Sequence, residues 1–255
     1  MKAKVFLINL DEREDKFQSV KGQLDALGVD FERISAVRGA DLSEDDINSA
    51  YSSLMNKKKY LKEMSVGEVG CYLSHRKAWE KIVDENLDFA VLIEDDAKLQ
   101  DGFESVLDLL AGLINWDYVK LHGGRGGRKV SESLAITTEH NLVHYDNVPV
   151  STLAQGISLR GAKKLLEFSS PFYRPVDVDI QLYWEKNIDV LGVEPKLVDK
   201  ADFDSDIDNM SKGRGRAKKS GFWQRLIYRT ILSFTRNKNN KARPNLNIYI
   251  SKIDE

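Results

Sequence analysis

Three acids stand in a row at Glu94-Asp95-Asp96, directly after the apolar run Val91-Leu92-Ile93. Gathering three like charges at the end of a buried strand is costly, because the carboxylates repel and burial adds a desolvation penalty. A divalent cation is the simplest compensation: hard Mg2+ or Mn2+ takes oxygen ligands and commonly shares them with substrate phosphates. A solvated acidic turn is the plainer alternative, and the run by itself does not decide between the two. In extended backbone, residues two apart point the same way, so Glu94 and Asp96 are expected on one side and Asp95 on the other.

The surrounding periodicity says what must hold these acids. Residues 88–93 form the most obvious buried strand, and they deliver the acids to its carboxyl end, where ligands bind in open α/β sheets. Residues 5–10 read as a first strand, and residues 13–27 as a helix, with Phe17, Val20, Leu24 and Leu27 at helical spacing before Gly28. A second strand at 30–37 completes a β-α-β opening. Ser65 and Glu68 form a capping box that starts a helix over 66–85, carrying Ser74, His75 and Trp79. Further on, helices are predicted at 103–114, 161–168 and 178–186, and strands at 117–121, 152–159 and 188–193. Alternating strands and helices give an α/β sheet with helices on both faces. His122 ends a strand beside a glycine-rich stretch, where it could touch a metal or a diphosphate. That stretch, GGRGG, lacks the strand-turn-helix placement of a nucleotide fingerprint.

Composition narrows the class. The chain has 255 residues, 42% hydrophobic and 31% charged, which excludes a disordered or fibrous protein for most of its length. A single cysteine, Cys71, excludes a disulfide framework, suits a reducing compartment and reads as a small buried side chain. No apolar run approaches the ~20 residues of a spanning helix, and the one at the N-terminus is too short for a signal peptide, so a soluble or peripheral protein is expected. Charge is unevenly spread: residues 1–210 hold 26 bases and 38 acids, whereas residues 211–243 hold eleven bases and no acid. Within that basic segment, residues 222–236 separate on a helical wheel, with Arg225, Arg229 and Arg236 on one stripe. Phe222, Trp223, Leu226, Ile227, Ile231 and Phe234 cover the other side. A basic amphipathic helix of this kind is the pattern of an interfacial membrane helix on anionic lipid. Docking on the protein's own acidic body and a nucleic-acid arm are the other readings, the last weakened by the lack of a binding module. The division expected is a catalytic domain over 1–200 and a basic linker with a membrane-associating segment over 201–255.

Spaced over most of residues 4–200, the motifs together resemble glycosyltransferase family 25, the lipooligosaccharide and lipopolysaccharide galactosyltransferase-like enzymes. They are Phe6-Leu7-Ile8-Asn9-Leu10 with Arg13, Arg33-Ile34-Ser35-Ala36-Val37 with Gly39, Gly67-Glu68-Val69-Gly70-Cys71 with Leu73-Ser74-His75 and Trp79, and the LIEDD run. Gly161 to Leu166, Pro175-Val176-Asp177 and Pro195-Lys196-Leu197-Val198 complete the set. The resemblance implies a GT-A-type, Rossmann-like mixed sheet flanked by helices that binds a nucleotide sugar, and a metal held on the donor diphosphate by the acidic motif. It implies an inverting transfer, often of galactose from UDP-galactose, onto a surface glycan or glycolipid. The chain departs from the family pattern at Gln155-Gly156-Ile157-Ser158 and at Arg38.

Such a reaction asks for three things. Charge growing on the leaving diphosphate must be neutralised, for which Asp96 is the leading metal ligand, with Asp95 and Glu94 as ligand or ribose-contact candidates. A general base must take the acceptor hydroxyl proton; Asp177 and Asp179 are the candidates, with Glu94 next, although Asp177 also suits a helix N-cap. The nucleotide must be seated, and Asn9, Arg13, Ser74 and His75 are the candidate contacts. Arg13 could instead be a surface helix charge, and a buried helical histidine such as His75 is more often a satisfied core residue than a ligand. Nucleic acid is not an expected partner, and the expected location is the cytoplasmic face of the inner membrane. Two rivals remain at this stage: a silent nucleotide-sugar-binding protein of the same fold, and a metal-dependent phosphotransfer enzyme, for which Glu94-Asp95-Asp96-Ala97 lacks the needed nucleophile spacing.

Overall fold

The structure is a computed structural model that describes residues 1–60, 62–123, 129–201 and 222–251, with side chains in the last segment from residue 228. The expected linker around residues 213–219 and the middle of the glycine-rich stretch, residues 124–128, lie outside the described residues. So do the side chains of Phe222, Trp223, Arg225, Leu226 and Ile227.

Ten strands are described: β1 (Ala3–Asn9), β2 (Glu32–Ser35), β3 (Phe89–Glu94), β4 (Ala97–Leu99), β5 (Tyr118–Lys120), β6 (Val130–Ala135), β7 (Asn141–Tyr145), β8 (Ala154–Ser158), β9 (Val190–Glu194) and β10 (Val198–Lys200). Eight form one sheet in the order β2-β1-β3-β8-β5-β9-β7-β6, and β10 pairs with β4 in a small second sheet. The β1–β2, β1–β3 and β5–β9 pairs are parallel, while β8 runs antiparallel between β3 and β5. The sheet is therefore mixed and flanked by helices, as the pattern of elements led one to expect. The antiparallel β6–β7 pair was not read from the sequence. β6 alternates half-buried and exposed residues of modest apolarity, which gives little signal.

The helices are α1 (Glu14–Ala26), α2 (Glu44–Ala50), α3 (Ser53–Lys59), α4 (Val66–Asp84), α5 (Val106–Ala111), α6 (Leu159–Glu167), α7 (Val176–Gln181) and α8 (Phe222–Lys241). Two predicted helices are shorter than their patterns. A 3-10 turn at Phe103–Ser105 precedes α5, and another at Tyr183–Glu185 follows α7.

Strand alternation divides the core into two layers. Val5, Leu7, Val91 and Ile93 face one side with Val20 and Leu24 of α1; Phe6, Ile8, Ala90 and Leu92 face the other with Tyr72, Trp79 and Ile82 of α4. The Ser65–Glu68 capping box is present at the start of α4. Two glycines let the loop after β2 lie directly on that helix. A Cβ on Gly39 would sit 1.8 Å from the Val66 carbonyl oxygen, and one on Gly70 would sit 2.5 Å from that of Val37. This contact carries residues 36–39 to the carboxyl ends of β1 and β3.

The C-terminal residues pack on the same body. Leu246 and Tyr249 are 1% and 0% exposed within the first core layer, and Leu113 bridges Ile250. Arg236 of α8 donates to the Asn147 side chain at 3.0 Å, Asn240 donates to the Asp146 carbonyl at 2.7 Å, and Arg243 donates to the Tyr145 carbonyl. Arg236 thus faces the protein rather than completing an outward basic stripe with Arg229. Ile231 and Phe234 point outward, 60% and 75% exposed. No described helix is long and apolar enough to cross a membrane.

Candidate functional site

Two cavities meet at the carboxyl ends of β1 and β3. The first is walled by Ile8 and Asn9 of β1, Lys16 of α1, the loop from Ala36 to Gly39, Cys71, Ser74 and His75 of α4, and all three acids Glu94, Asp95 and Asp96. The second is lined by Glu68, Ser151, Thr152, Pro175, Val176 and Asp177, and it shares Cys71 and Glu94 with the first.

All three acids reach the first cavity because the strand stops at Glu94 and the chain turns at Asp95 and Asp96. The alternation expected from extended backbone, with Asp95 on the opposite side, does not apply there. Each acid has its own partners. Glu94 accepts from the Thr152 hydroxyl at 2.6 Å and from His75 Nε2 at 2.9 Å. Asp95 accepts from Asn9 Nδ2 at 2.8 Å and lies 3.8 Å from Lys16 Nζ. Asp96 pairs with Lys200 Nζ at 3.0 Å, yet its Oδ1 is buried with no hydrogen-bond partner.

The electrostatics follow from these surroundings. Burial pushes the Asp95 carboxyl up to about 6, against the pull of Asn9 and Lys16 and with added repulsion from Asp96 and Glu94. Burial and the neighbouring Glu94 likewise raise Asp96, although Lys200 opposes them. For Glu94, burial pushes upward but is outweighed by the His75 and Thr152 hydrogen bonds and nearby positive charge, which hold it below the usual carboxylate range.

A hard divalent cation fits this donor set. Three carboxylates line one cavity, burial raises two of them toward protonation, and Asp96 Oδ1 is a buried acceptor without a hydrogen-bond partner. Asp95 and Asp96 would hold the ion, with Glu94 at the edge.

His75 is buried and fixed from both sides. Gln155 donates its amide to Nδ1 at 3.2 Å while accepting from the Tyr118 hydroxyl, so the proton sits on Nε2 and is donated to Glu94. Asn9 binds Asp95 and the Arg13 carbonyl, and accepts from Arg33. The Ser74 hydroxyl accepts from the Val37 N–H and donates to the Gly70 carbonyl, each at 2.8 Å, clasping loop to helix at the cavity wall. Arg13 does not line either cavity; its guanidinium pairs with Asp15. His122 is held by the Val198 carbonyl at 2.9 Å, away from both cavities.

The two acids after Pro175 part company. Asp177 faces the second cavity, and its carboxylate accepts the Val178 N–H at 2.7 Å. Pro175, not Asp177, occupies the N-cap of α7. Burial raises the Asp177 carboxyl, with repulsion from Glu94 and Glu68 adding and the Val178 N–H and Lys120 opposing. Asp179, by contrast, is buried between Arg174 Nε at 2.6 Å and Lys186 Nζ at 2.8 Å and also accepts from Tyr72. With its carboxylate saturated and outside the cavity, Asp179 is not placed to take a proton from a ligand. It holds α7 against α4.

Several side chains at the site were not singled out from the sequence. Lys16 is 3% exposed, lines the first cavity, and had a signal: it falls on the apolar stripe with Val20 and Leu24. Thr152, Lys120 and Lys200 had none, because each acts through a long-range partner, and Gln155 stood out only as a departure from the family pattern. Lys120 is fully buried, donates to the Ser151 carbonyl, and is driven by burial down to about 8. Ser151 itself has φ 145, a strained value for a residue with a side chain.

A family model described as glycosyltransferase family 25 (LPS biosynthesis protein) matches residues 2–180. Procollagen galactosyltransferase 1-B of Xenopus laevis is 32% identical over 194 residues, covering 72% of this chain and 31% of that protein. The probable inactive glycosyltransferase 25 family member 3 of Rattus norvegicus is 27% identical over 234 residues, covering 81% of this chain and 40% of the relative. The chain therefore spans about a third of the length of the curated relatives it matches. Among solved structures, a Drosophila β-1,4-galactosyltransferase 7 mutant in complex with manganese, UDP-galactose and xylobiose aligns over 90% of this chain and 80% of its own. Its TM-score is 0.41 at 7% identity, a distant likeness.

Proposed function

The chain belongs to glycosyltransferase family 25, and from that premise we propose that it transfers a sugar, galactose from UDP-galactose in the leading reading, to a glycan or glycolipid hydroxyl with inversion. The observation that carries this reading is the junction itself: a carboxylate-lined cavity suited to a cation and a diphosphate opens, at Glu94, onto a second cavity holding Asp177.

A divalent cation, when bound by Asp95 and Asp96, supplies charge neutralisation for the departing diphosphate. The protein's own groups do the rest. Lys16 and Arg38, both on the wall of the first cavity, add positive charge beside the diphosphate. Asp177 accepts the acceptor hydroxyl proton as that oxygen bonds to the anomeric carbon and the bond to the diphosphate breaks. Its raised affinity for protons makes it a stronger base than an exposed aspartate. His75, Thr152 and Gln155 fix Glu94 at the neck between the cavities.

Galactose is favoured by the name of the procollagen galactosyltransferase relatives, and a surface-glycan acceptor by the description of the family. Work at the cytoplasmic face of the inner membrane remains part of the proposal. Ile231 and Phe234 stand exposed among the exposed bases Arg229, Lys238 and Lys241, a composition that suits anionic lipid. A silent nucleotide-sugar-binding role is the second reading, favoured by the relatives named inactive. UDP release from UDP-galactose in the presence of Mn2+ separates the two: turnover supports transfer, and binding without turnover supports the silent protein.

A further inference from the structure

At the neck between the cavities a different donor set converges. Cys71 and His75 are one turn apart on α4, so their side chains share a face. Cys71 Sγ, a His75 ring nitrogen and a Glu94 carboxylate oxygen all lie within 4.8 Å of one another. We propose that these three residues form a second cation site, one for a borderline-soft divalent ion such as Zn2+, and that occupancy there shuts the neck.

Donor chemistry separates this site from the acid-lined cavity beside it. Thiolate and imidazole select zinc, whereas carboxylates alone suit Mg2+ or Mn2+. A tetrahedral ion needs ligand atoms about 3.3–3.8 Å apart, so small side-chain movements bring the three into range. Among the described residues no other group of three such side chains comes this close. His75 also has the support a metal-bound imidazole requires. For Nε2 to bind the ion, its proton must move to Nδ1, which then needs an acceptor. Gln155 supplies one by turning its amide over: its oxygen takes the Nδ1–H and its NH2 donates to the Tyr118 hydroxyl oxygen.

The proton count closes. The imidazole exchanges one tautomer for the other, the Cys71 thiol loses its proton to solvent, and Glu94 is already ionised, so one proton leaves per ion bound. A water completes the four ligands. The binding claim stands independently of the transfer reaction, while its effect on turnover rests on that reading. Zinc would take Glu94 away from Thr152 and stand in the lining that, among the described residues, the two cavities share, Cys71 and Glu94.

Cys71 is the sole cysteine in the chain, so the thiol can be followed in the unaltered protein. Zn2+ is expected to slow alkylation of Cys71 by iodoacetamide by about tenfold or more, while Mg2+ leaves the rate unchanged. Titration of the full chain with Co2+ should develop a saturable thiolate-to-cobalt charge-transfer band that vanishes in a folded Cys71→Ser variant. Equal protection by Mg2+ would overturn the proposal, because it would mean that an ion in the acid-lined cavity shields the thiol. So would unprotected alkylation in Zn2+, or a Co2+ band that survives Cys71→Ser. On the transfer reading, Zn2+ should also depress UDP release in the Mn2+-loaded protein.

Discussion

Asp96 has the least complete environment of the residues at the site: one carboxylate oxygen is tied to Lys200 and the other is buried without a partner. Replacing it with Asn removes the charge a cation would bind. Asp96→Asn is therefore expected to abolish transfer and cation-dependent UDP binding while the thermal unfolding midpoint stays near or above that of the parent. Activity unchanged by Asp96→Asn or by a chelator would remove the metal assignment. Asp177 and Asp179, two positions apart, should fail in opposite ways. Asp179→Ala leaves Arg174 and Lys186 buried without their shared carboxylate, and unfolding measurements should register a loss of about 3–5 kcal/mol. Asp177→Asn should unfold near the parent temperature. Acidity offers a separate check. Asp95 titrates at about 6 in the folded chain, well above its unfolded value, so the folded state favours its protonated form. Its contribution to stability is then fully present only below the unfolded value of 3.8 and is lost as pH rises from there through about 6, when the charge must be carried in a partly buried site. Cation binding offsets that charge. Added Mn2+ should thus raise the unfolding temperature at pH 7 and do so much less at pH 5, where protons compete for Asp95. An equal rise at both pH values would contradict the assignment of Asp95 as a ligand.

At the level of elements, the site depends on how closely the loop after β2 lies on α4. Gly39→Ala would drive a methyl group into the Val66 carbonyl, and the loop carrying Val37 and Arg38 must lift to relieve it. The expected result is a fall in both stability and affinity for UDP, measured by thermal unfolding and calorimetry; wild-type affinity would show that the loop is not part of the donor cavity. The elements around this contact were legible in the sequence because they are local. The capping box at Ser65 and Glu68, the apolar run into Glu94 and the helical stripe of α1 each sit within a few residues. What could not be read was set by distant partners. Asp177 and Asp179 look alike as a pair, and only the packing of α7 against Tyr72, Arg174 and Lys186 tells them apart. Thr152 reaches Glu94 across 58 positions and Gln155 reaches His75 across 80, spans that leave no trace in periodicity.

For the molecule as a whole, the strong opposition of charge between body and tail was visible in composition, but its consequence was only half visible. The end of the tail is part of the folded body, since Leu246 and Tyr249 sit in the core and Arg236, Asn240 and Arg243 bind residues 145–147. Removing residues 211–255 should therefore destabilise the protein, and Leu246→Ala alone should cost about 2–5 kcal/mol. A truncated chain as stable as the parent would contradict this packing. Lipid binding is best tested without truncation. Ile231→Glu with Phe234→Glu changes only exposed positions and should abolish sedimentation with anionic vesicles while leaving stability within about 0.5 kcal/mol. Persistent sedimentation would rule out that face. The central claim, that sugar leaves its diphosphate in the first cavity under base assistance from the second, is tested most directly with UDP-galactose, Mn2+ and Asp177→Asn. Water can serve as the acceptor in a slow hydrolysis that needs the same base, and UDP release can be followed beside calorimetric UDP binding. Asp177→Asn is expected to bind UDP as the parent does and to release it from UDP-galactose about 100-fold more slowly or worse; release within a few-fold of the parent would show that Asp177 is not the base.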